Sequence, residues 1–173
     1  MAKSSSYIKD DPSGFPYDFY QTHLIDGQPD IMYHWHPELE ISYVKEGRGT
    51  YHINYEAFDI QTGDIILVHP NAMHSIQVAT GQELTTNTFG INLDNLGRSI
   101  IDKYSQRYLQ PLHNGHFKLT PHIQPDMLGY QAIKTCLFDI FTLVSEQSLY
   151  FDMLLKSKCH ELLYLLFKYR YIN

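Results

Sequence analysis

Two histidines and two glutamates stand at alternate positions in the stretch HWHPELE, residues 34–40. Imidazole and carboxylate groups are ligands of borderline divalent metals, and they can also orient a small polar molecule by hydrogen bonding. On a strand, alternate residues share a face, so we expect the polar side chains on one face and Trp35, Leu39 and Ile41 on the other. The stretch is therefore a metal site, a polar pocket or the charged outer face of a strand.

A later histidine, His74, could complete a set of metal ligands with His34, His36 and Glu40. The same four residues, with Tyr51 or Tyr43 as a stacking surface, could instead form a hydrogen-bonded pocket for a small effector. A polar lumen without a metal remains the alternative. We predict no catalytic residue, because neither Ser42 nor Ser75 has the glycine-framed turn of a hydrolase nucleophile.

The elements that must position these residues are strands in the first half of the chain. From about residue 17 to residue 93, short β-branched or aromatic runs alternate with turn signals such as Thr62-Gly63-Asp64. This spacing predicts a closed or sandwiched antiparallel sheet. The continuous apolar run 65–68 predicts a strand buried on both faces.

The second half, residues 94–173, has helical periodicity. The pattern predicts a bridging helix that begins at Asn95 and stops before Pro111, and then two longer helices after about Pro125. The last helix is rich in leucine and is the candidate dimer seam, although packing within one chain is an equal alternative. The residues predicted for that seam are Leu154, Leu155, Leu162, Leu163 and Leu166.

Composition excludes several classes of protein. The formal net charge of −6 argues that this segment does not grip a nucleic-acid backbone by itself. Only Cys136 and Cys159 are present, both in apolar helical patterns, which excludes a disulfide framework and a cysteine-rich zinc site. Neither a secretion signal nor a membrane-spanning run is found, so we expect a cytoplasmic protein.

The residues around the two-histidine stretch resemble the cupin family. Gly27, His34-Trp35-His36, Glu40 and Gly47 match the first cupin motif, with one extra residue after Gly27. The second cupin motif resembles Gly63-Asp64 and the segment from Pro70 to His74, but its glycine is missing and His74 comes one residue early. The family resemblance implies a metal held by His34, His36, Glu40 and His74, with Zn, Ni, Fe or Mn as candidates.

The whole string from His34 to His74 is similar to the sensor domain of AraC (arabinose-operon regulator) family transcription factors. That resemblance implies a mostly β fold with α, in which a cupin-type jelly-roll barrel (17–93) precedes helices (94–173) that form a homodimer. It also implies an N-terminal arm or lead-in (1–16), a small effector such as a sugar in the barrel, and DNA contact through a C-terminal helix-turn-helix domain outside this chain. The alternative is a metal-dependent cupin enzyme of isomerase or dioxygenase type.

Overall fold

The computed structural model describes residues 17–173, so the predicted lead-in, residues 1–16, lies outside the described residues. The strands are β1 (Asp18–Ile25), β2 (Ile31–His34), β3 (Leu39–Ile53), β4 (Glu56–Gln61), β5 (Ile65–Val68), β6 (His74–Val78), β7 (Glu83–Ile91) and β8 (His122–Ile123). The helices are a π-helical turn (Ser105–Leu109), α1 (Gln110–His113), α2 (Tyr130–Glu146) and α3 (Phe151–Lys168).

Strand β3 belongs to both walls of the barrel. Its first half pairs with β5 and β7, in a wall ordered β1-β7-β3-β5-β8. Its second half pairs with β4 and β6, and β6 also pairs with β2. All these pairs are antiparallel, as the turn spacing predicts.

The change of wall occurs at a glycine. The register of β3 against β7 shifts between Val44 and Glu46, and Gly47 follows with a φ of 94°. A Cβ atom at Gly47 would lie 1.7 Å from the backbone oxygen of Glu83. Only glycine allows both this left-handed backbone and this close approach of two strands.

The side chains of the first wall divide into an inner and an outer face. Along β3, Leu39, Ile41 and Tyr43 join the outer core, whereas Val44 joins the inner one. The fully buried strand β5 divides in the same way, as predicted for its continuous apolar run: Ile65 and Leu67 are in the outer core, and Ile66 and Val68 in the inner one. This alternation lets one wall support two cores.

The outer core is completed by α2 and α3, which cover the first wall. Their buried residues follow the predicted helical periodicity, from Ile133 to Val144 and from Phe151 to Leu166, except that Leu154 of the predicted stripe is exposed. Cys136 and Cys159 are both buried and free, as expected. The predicted architecture, a cupin-type jelly-roll barrel followed by C-terminal helices, is confirmed.

The predicted bridging helix is confirmed only in its second half. Turns occupy most of the segment that follows β7, and helical structure begins only near residue 103 and runs to residue 113. Pro111 does not stop the helix; it lies within α1, directly after the π-helical turn. Buried Leu93 and Leu96 anchor the turns on the outer core instead.

Among residues 17–173, no helix has the length and apolar character needed to cross a membrane.

Candidate functional site

A cavity of about 550 Å³ opens at the mouth of the barrel and contains most of the predicted site residues. Its walls come from strands of both sheets and from the corner between β2 and β3. The residues that line it are Asp18, Tyr20, Ile31, His34, Trp35, His36, Glu38, Glu40, Tyr51, Ile76 and Gly90.

The stretch from His34 to Glu40 is not one strand. Strand β2 ends at His34 and β3 begins at Leu39, because Pro37 has no N–H for a ladder and restricts the residue before it. The corner changes the position of Trp35, which lines the cavity with 62% of its surface exposed instead of packing with Leu39. The predicted shared face of the two histidines survives, because both rings still line the cavity.

Glu40 forms the floor of the cavity and is only 1% exposed. One carboxylate oxygen accepts hydrogen bonds from the Tyr20 hydroxyl at 2.5 Å and from His36 Nε2 at 3.0 Å. The other oxygen accepts from the Tyr51 and Ser42 hydroxyls. Burial alone would raise the pKa of Glu40, but His36, His74 and Tyr20 together hold this pKa well below its usual range. The floor is therefore an anion.

His36 lies between two carboxylates. Its Nε2 donates to Glu40, and its Nδ1 lies 3.5 Å from a carboxylate oxygen of Glu38 without a hydrogen bond. Burial would lower the pKa of His36, but the hydrogen bond and charge of Glu40, with the charges of Glu38 and Asp18, raise it overall. The two carboxylates therefore favour the imidazolium form of this ring.

His34 and His74 have their Nε2 atoms free for another partner. The Nδ1 atoms lie 2.9 Å from the carbonyl oxygens of Met32 and Ala72 respectively. A carbonyl can only accept, so each Nδ1 donates to that carbonyl, and this bond fixes the orientation of the ring. The two ring centroids are 4.1 Å apart. His74 is 1% exposed, and its Nε2 is buried without a hydrogen-bond partner, 3.6 Å from Glu40.

The three histidines could hold a metal ion. One ligand atom each from His34, His36 and His74 lies within 4.8 Å of the others. The Nδ1 bonds of His34 and His74 to backbone carbonyls are the outer contacts that orient metal-ligating imidazoles. Glu40, the fourth predicted ligand, has both oxygens engaged by Tyr20, Tyr51 and other donors. The donor set thus fits a metal through its imidazoles once His36 loses a proton.

Of the two predicted stacking residues, only Tyr51 belongs to the cavity. It is fully buried, and its hydroxyl donates to Glu40. Burial, and then the charge of Glu40, raise the pKa of Tyr51 well above its usual range, so it stays a neutral donor. Tyr43 lies on the outer face, where its ring meets Phe138 edge-on at 4.9 Å.

Comparison with known families decides what this barrel is. The family model described as "AraC-like ligand binding domain" matches residues 18–163, which include the whole barrel and most of α3. The chain belongs to this family. No curated protein matches it significantly.

Solved structures similar to this AraC-like domain include proteins described as cupins. A cupin protein from Bacteroides fragilis is 19% identical, with a TM-score of 0.47 over 53% of this chain and 79% of its own. A cupin-like protein from Thermotoga maritima is 24% identical, with a TM-score of 0.47 over 52% of this chain and 68% of its own. A predicted oxalate decarboxylase from Thermotoga maritima is 28% identical, with a TM-score of 0.40 over 43% of this chain and 64% of its own.

The helical part of the AraC-like domain places the predicted seam residues differently from the expectation. Four leucines, Leu155, Leu162, Leu163 and Leu166, are at most 3% exposed and pack inside the chain's own outer core. They cannot form a contact surface while this core is intact. Leu154 is 50% exposed, so the dimer prediction rests on Leu154 alone among the five.

Three cavity residues of the AraC-like domain carry little signal in the sequence. Asp18 and Tyr20 lie on β1, and Gly90 pairs with both Asp18 and Glu40 across neighbouring strands. Strand pairing over long sequence distances brings them together, and a single sequence does not show that register. The alternation of Asp18 and Tyr20 in PYDFY is the one available hint.

Proposed function

We propose that this AraC-like domain is the effector-sensing and dimerisation part of a transcription regulator. The observation that carries the proposal is the anionic Glu40, held by Tyr20, Tyr51 and His36 on the floor of a cavity of about 550 Å³. Cavities of about 300 to 1,000 Å³ with a few fixed polar groups suit small molecules. A small polar effector, of which a sugar is one candidate, enters this cavity beside Trp35.

The signal leaves the cavity through β3. This strand carries Glu40 on its inner face and Leu39 and Ile41 on its outer face, in the core shared with α2 and α3. An effector that binds one position of β3 better than another shifts the populations of the two positions, and with them the arrangement of α2 and α3 on the outer face. The exposed side of α3, with Met153, Leu154 and Tyr164, is the surface through which two copies associate. DNA contact is made by a helix-turn-helix unit on the C-terminal side of this chain.

The test is effector-dependent DNA binding by the full-length regulator. Fluorescence anisotropy of a labelled operator is measured with and without each compound of a sugar and metabolite panel. The response is expected to disappear in Trp35→Leu and to persist in Tyr55→Leu, a matched control at an exposed aromatic outside the cavity. If no compound changes DNA affinity, the sensor function is refuted; if both variants keep the response, the effector does not bind beside Trp35.

The histidine cluster favours a second candidate, a metal-dependent cupin enzyme. His34, His36 and His74 would hold Zn, Ni, Fe or Mn, which as a Lewis acid would polarise a bound oxygen ligand. Elemental analysis of protein purified without chelators tests this candidate. A stoichiometric metal that is lost in His34→Ala and His36→Ala but kept in His52→Ala, outside the cluster, would support it. Protein that is free of metal and binds none when titrated would remove it.

A further inference from the structure

Two acids stand next to one glycine at the rim of the same cavity. A Cβ atom built at Gly90 would lie 3.1 Å from the Cβ of Asp18 and 3.4 Å from the Cβ of Glu38, which is at or below the short end of ordinary van der Waals contact. A side chain at this position would crowd both acids, so glycine keeps this part of the rim clear. Asp18 and Glu38 both line the cavity, together with Glu40, which pairs with Gly90 on the neighbouring strand.

The charged groups of the cavity wall are dominated by these acids. Asp18, Glu38 and Glu40 all line it, and none of the described residues that line it is a lysine or an arginine. The imidazolium of His36 offsets part of this charge. A carboxylate or phosphate ligand would meet like charges at close range, whereas a cation would be attracted to the rim.

His74, next to two of the residues that line the cavity, offers a further contact. Its ring centroid lies 4.1 Å from that of His34 and 4.9 Å from that of His36, and its Nε2 is buried without a hydrogen-bond partner. A buried polar atom in this state needs a partner from a ligand or a water molecule. The rim carboxylates accept N–H or O–H donors, and His74 Nε2 is open to a second polar group of the ligand.

The remaining wall suits the apolar part of such a ligand. Trp35 presents an exposed indole to the cavity, and Ile31 and Ile76 add aliphatic surface. The face of an indole attracts an ammonium group and also packs against methylene groups.

We propose that this cavity takes a small organic cation, a protonated amine whose ammonium group lies between Asp18 and Glu38 over Gly90. A second polar group on the same molecule reaches toward His74, so diamines, amino alcohols and amino sugars have the required chemistry. This inference rests on the proposed function, since it names the class of effector for the same cavity.

A length-matched series of three compounds tests the charge preference. Putrescine, 1,4-butanediol and succinate each have a four-carbon backbone but differ in charge. Glucosamine and glucose make the same comparison between an amine and a neutral compound on a sugar ring. Trp35 is the one tryptophan of the chain, so selectively excited tryptophan fluorescence reports directly on the cavity. We expect putrescine and glucosamine to bind and to change this signal, and the neutral and anionic compounds to bind at least about tenfold more weakly.

Charge-neutral variants locate the ammonium group. Asp18→Asn and Glu38→Gln keep the shape of the rim and are each expected to weaken amine binding by about tenfold or more. Glu46→Gln, at an exposed glutamate outside the cavity, should leave it unchanged. Isothermal titration calorimetry provides the same comparison without fluorescence.

The amine assignment would be overturned if succinate or butanediol bound as tightly as putrescine, or if both rim variants kept full affinity. It would also be overturned if divalent metal ions were the sole binders, or if no amine bound at millimolar concentration. Preferential binding of glucose would overturn the amine assignment and leave the sensor function standing. Amine binding that never alters DNA affinity in the full-length regulator would refute the sensor function and leave the amine site standing.

Discussion

Replacement of Glu40 by glutamine measures how strongly the cavity floor stabilises the barrel. The carboxylate accepts from two tyrosine hydroxyls, from His36 Nε2 and from the Ser42 hydroxyl. A glutamine keeps the volume, but one of its two terminal groups is itself a donor. At least one or two of the surrounding donors then lose their acceptor while they stay buried.

The expected loss follows from that count. Each buried donor left without an acceptor costs about 1 to 3 kcal/mol, so Glu40→Gln should lower the free energy of unfolding by about 3 kcal/mol. For a chain of this size, each 1 kcal/mol corresponds to about 2 to 4 °C in Tm, which predicts a fall of about 6 to 12 °C. Urea unfolding followed by circular dichroism, with a thermal melt, gives both numbers. Glu46→Gln is the exposed control and should stay within about 0.5 kcal/mol.

A double-mutant cycle with Tyr51→Phe separates the hydrogen bond from general damage. If Glu40 and Tyr51 stabilise the barrel through their contact, the two losses should be non-additive by about 1 kcal/mol or more. A Glu40→Gln protein as stable as the parent would refute the reasoning. It would mean that the cost of burying the carboxylate equals everything that its hydrogen bonds contribute.

Three further predictions follow from burial and backbone geometry. Leu162→Ala should lower the free energy of unfolding in urea by about 2 to 5 kcal/mol, because Leu162 is fully buried. Leu154→Ala should leave the free energy of unfolding unchanged and shift the sedimentation coefficient toward that of the monomer. The reverse pattern would contradict the placement of α3. Gly47→Ala should lower the unfolding free energy by more than about 2 kcal/mol or prevent folding, since its Cβ would overlap a backbone oxygen of the neighbouring strand; normal stability would disprove the tight crossing. Burial raises the pKa of Cys136 and Cys159 to about 12. Both thiols should therefore stay protonated at neutral pH and react with Ellman's reagent only after unfolding. Immediate reaction of the native protein would contradict their burial.

The sequence predicts the chemistry of the site better than its shape. His34, His36 and Glu40 are recognisable because their residue types and short spacing are set locally, and His74 follows from its motif. The rim is different, since Asp18 and Gly90 meet only when β1, β7 and β3 pair in one particular register. That register depends on packing across the whole wall, which a local pattern cannot contain.

The helices show the same division between local and distant information. The apolar stripe of α3 is predicted correctly at Leu155 and Leu162, which are buried, but not at Leu154, which is exposed. Whether such a stripe packs on its own chain or on a second copy depends on the outer face of the barrel, which Leu39 and Phe89 complete. The first half of the predicted bridging helix is absent for a related reason. Leu93 and Leu96 lie in turns and are buried against this core, and tertiary packing outweighs helical periodicity.

Strand β3 contributes side chains to both the cavity and the outer core, and this limits which sequence changes the barrel can accept. A single inserted or deleted residue between Leu39 and Tyr43 would exchange the two faces of the strand, and would turn core residues such as Ile41 toward the cavity and Glu40 toward the outer core. Length changes are therefore tolerated far better in the corner 35–38, outside the ladder, than in the strand itself. New ligand preferences in such a barrel have to arise by exchanging side chains along β3. Changes in chain length have to occur at the corner, where they can reshape the entrance of the cavity without disturbing the outer core.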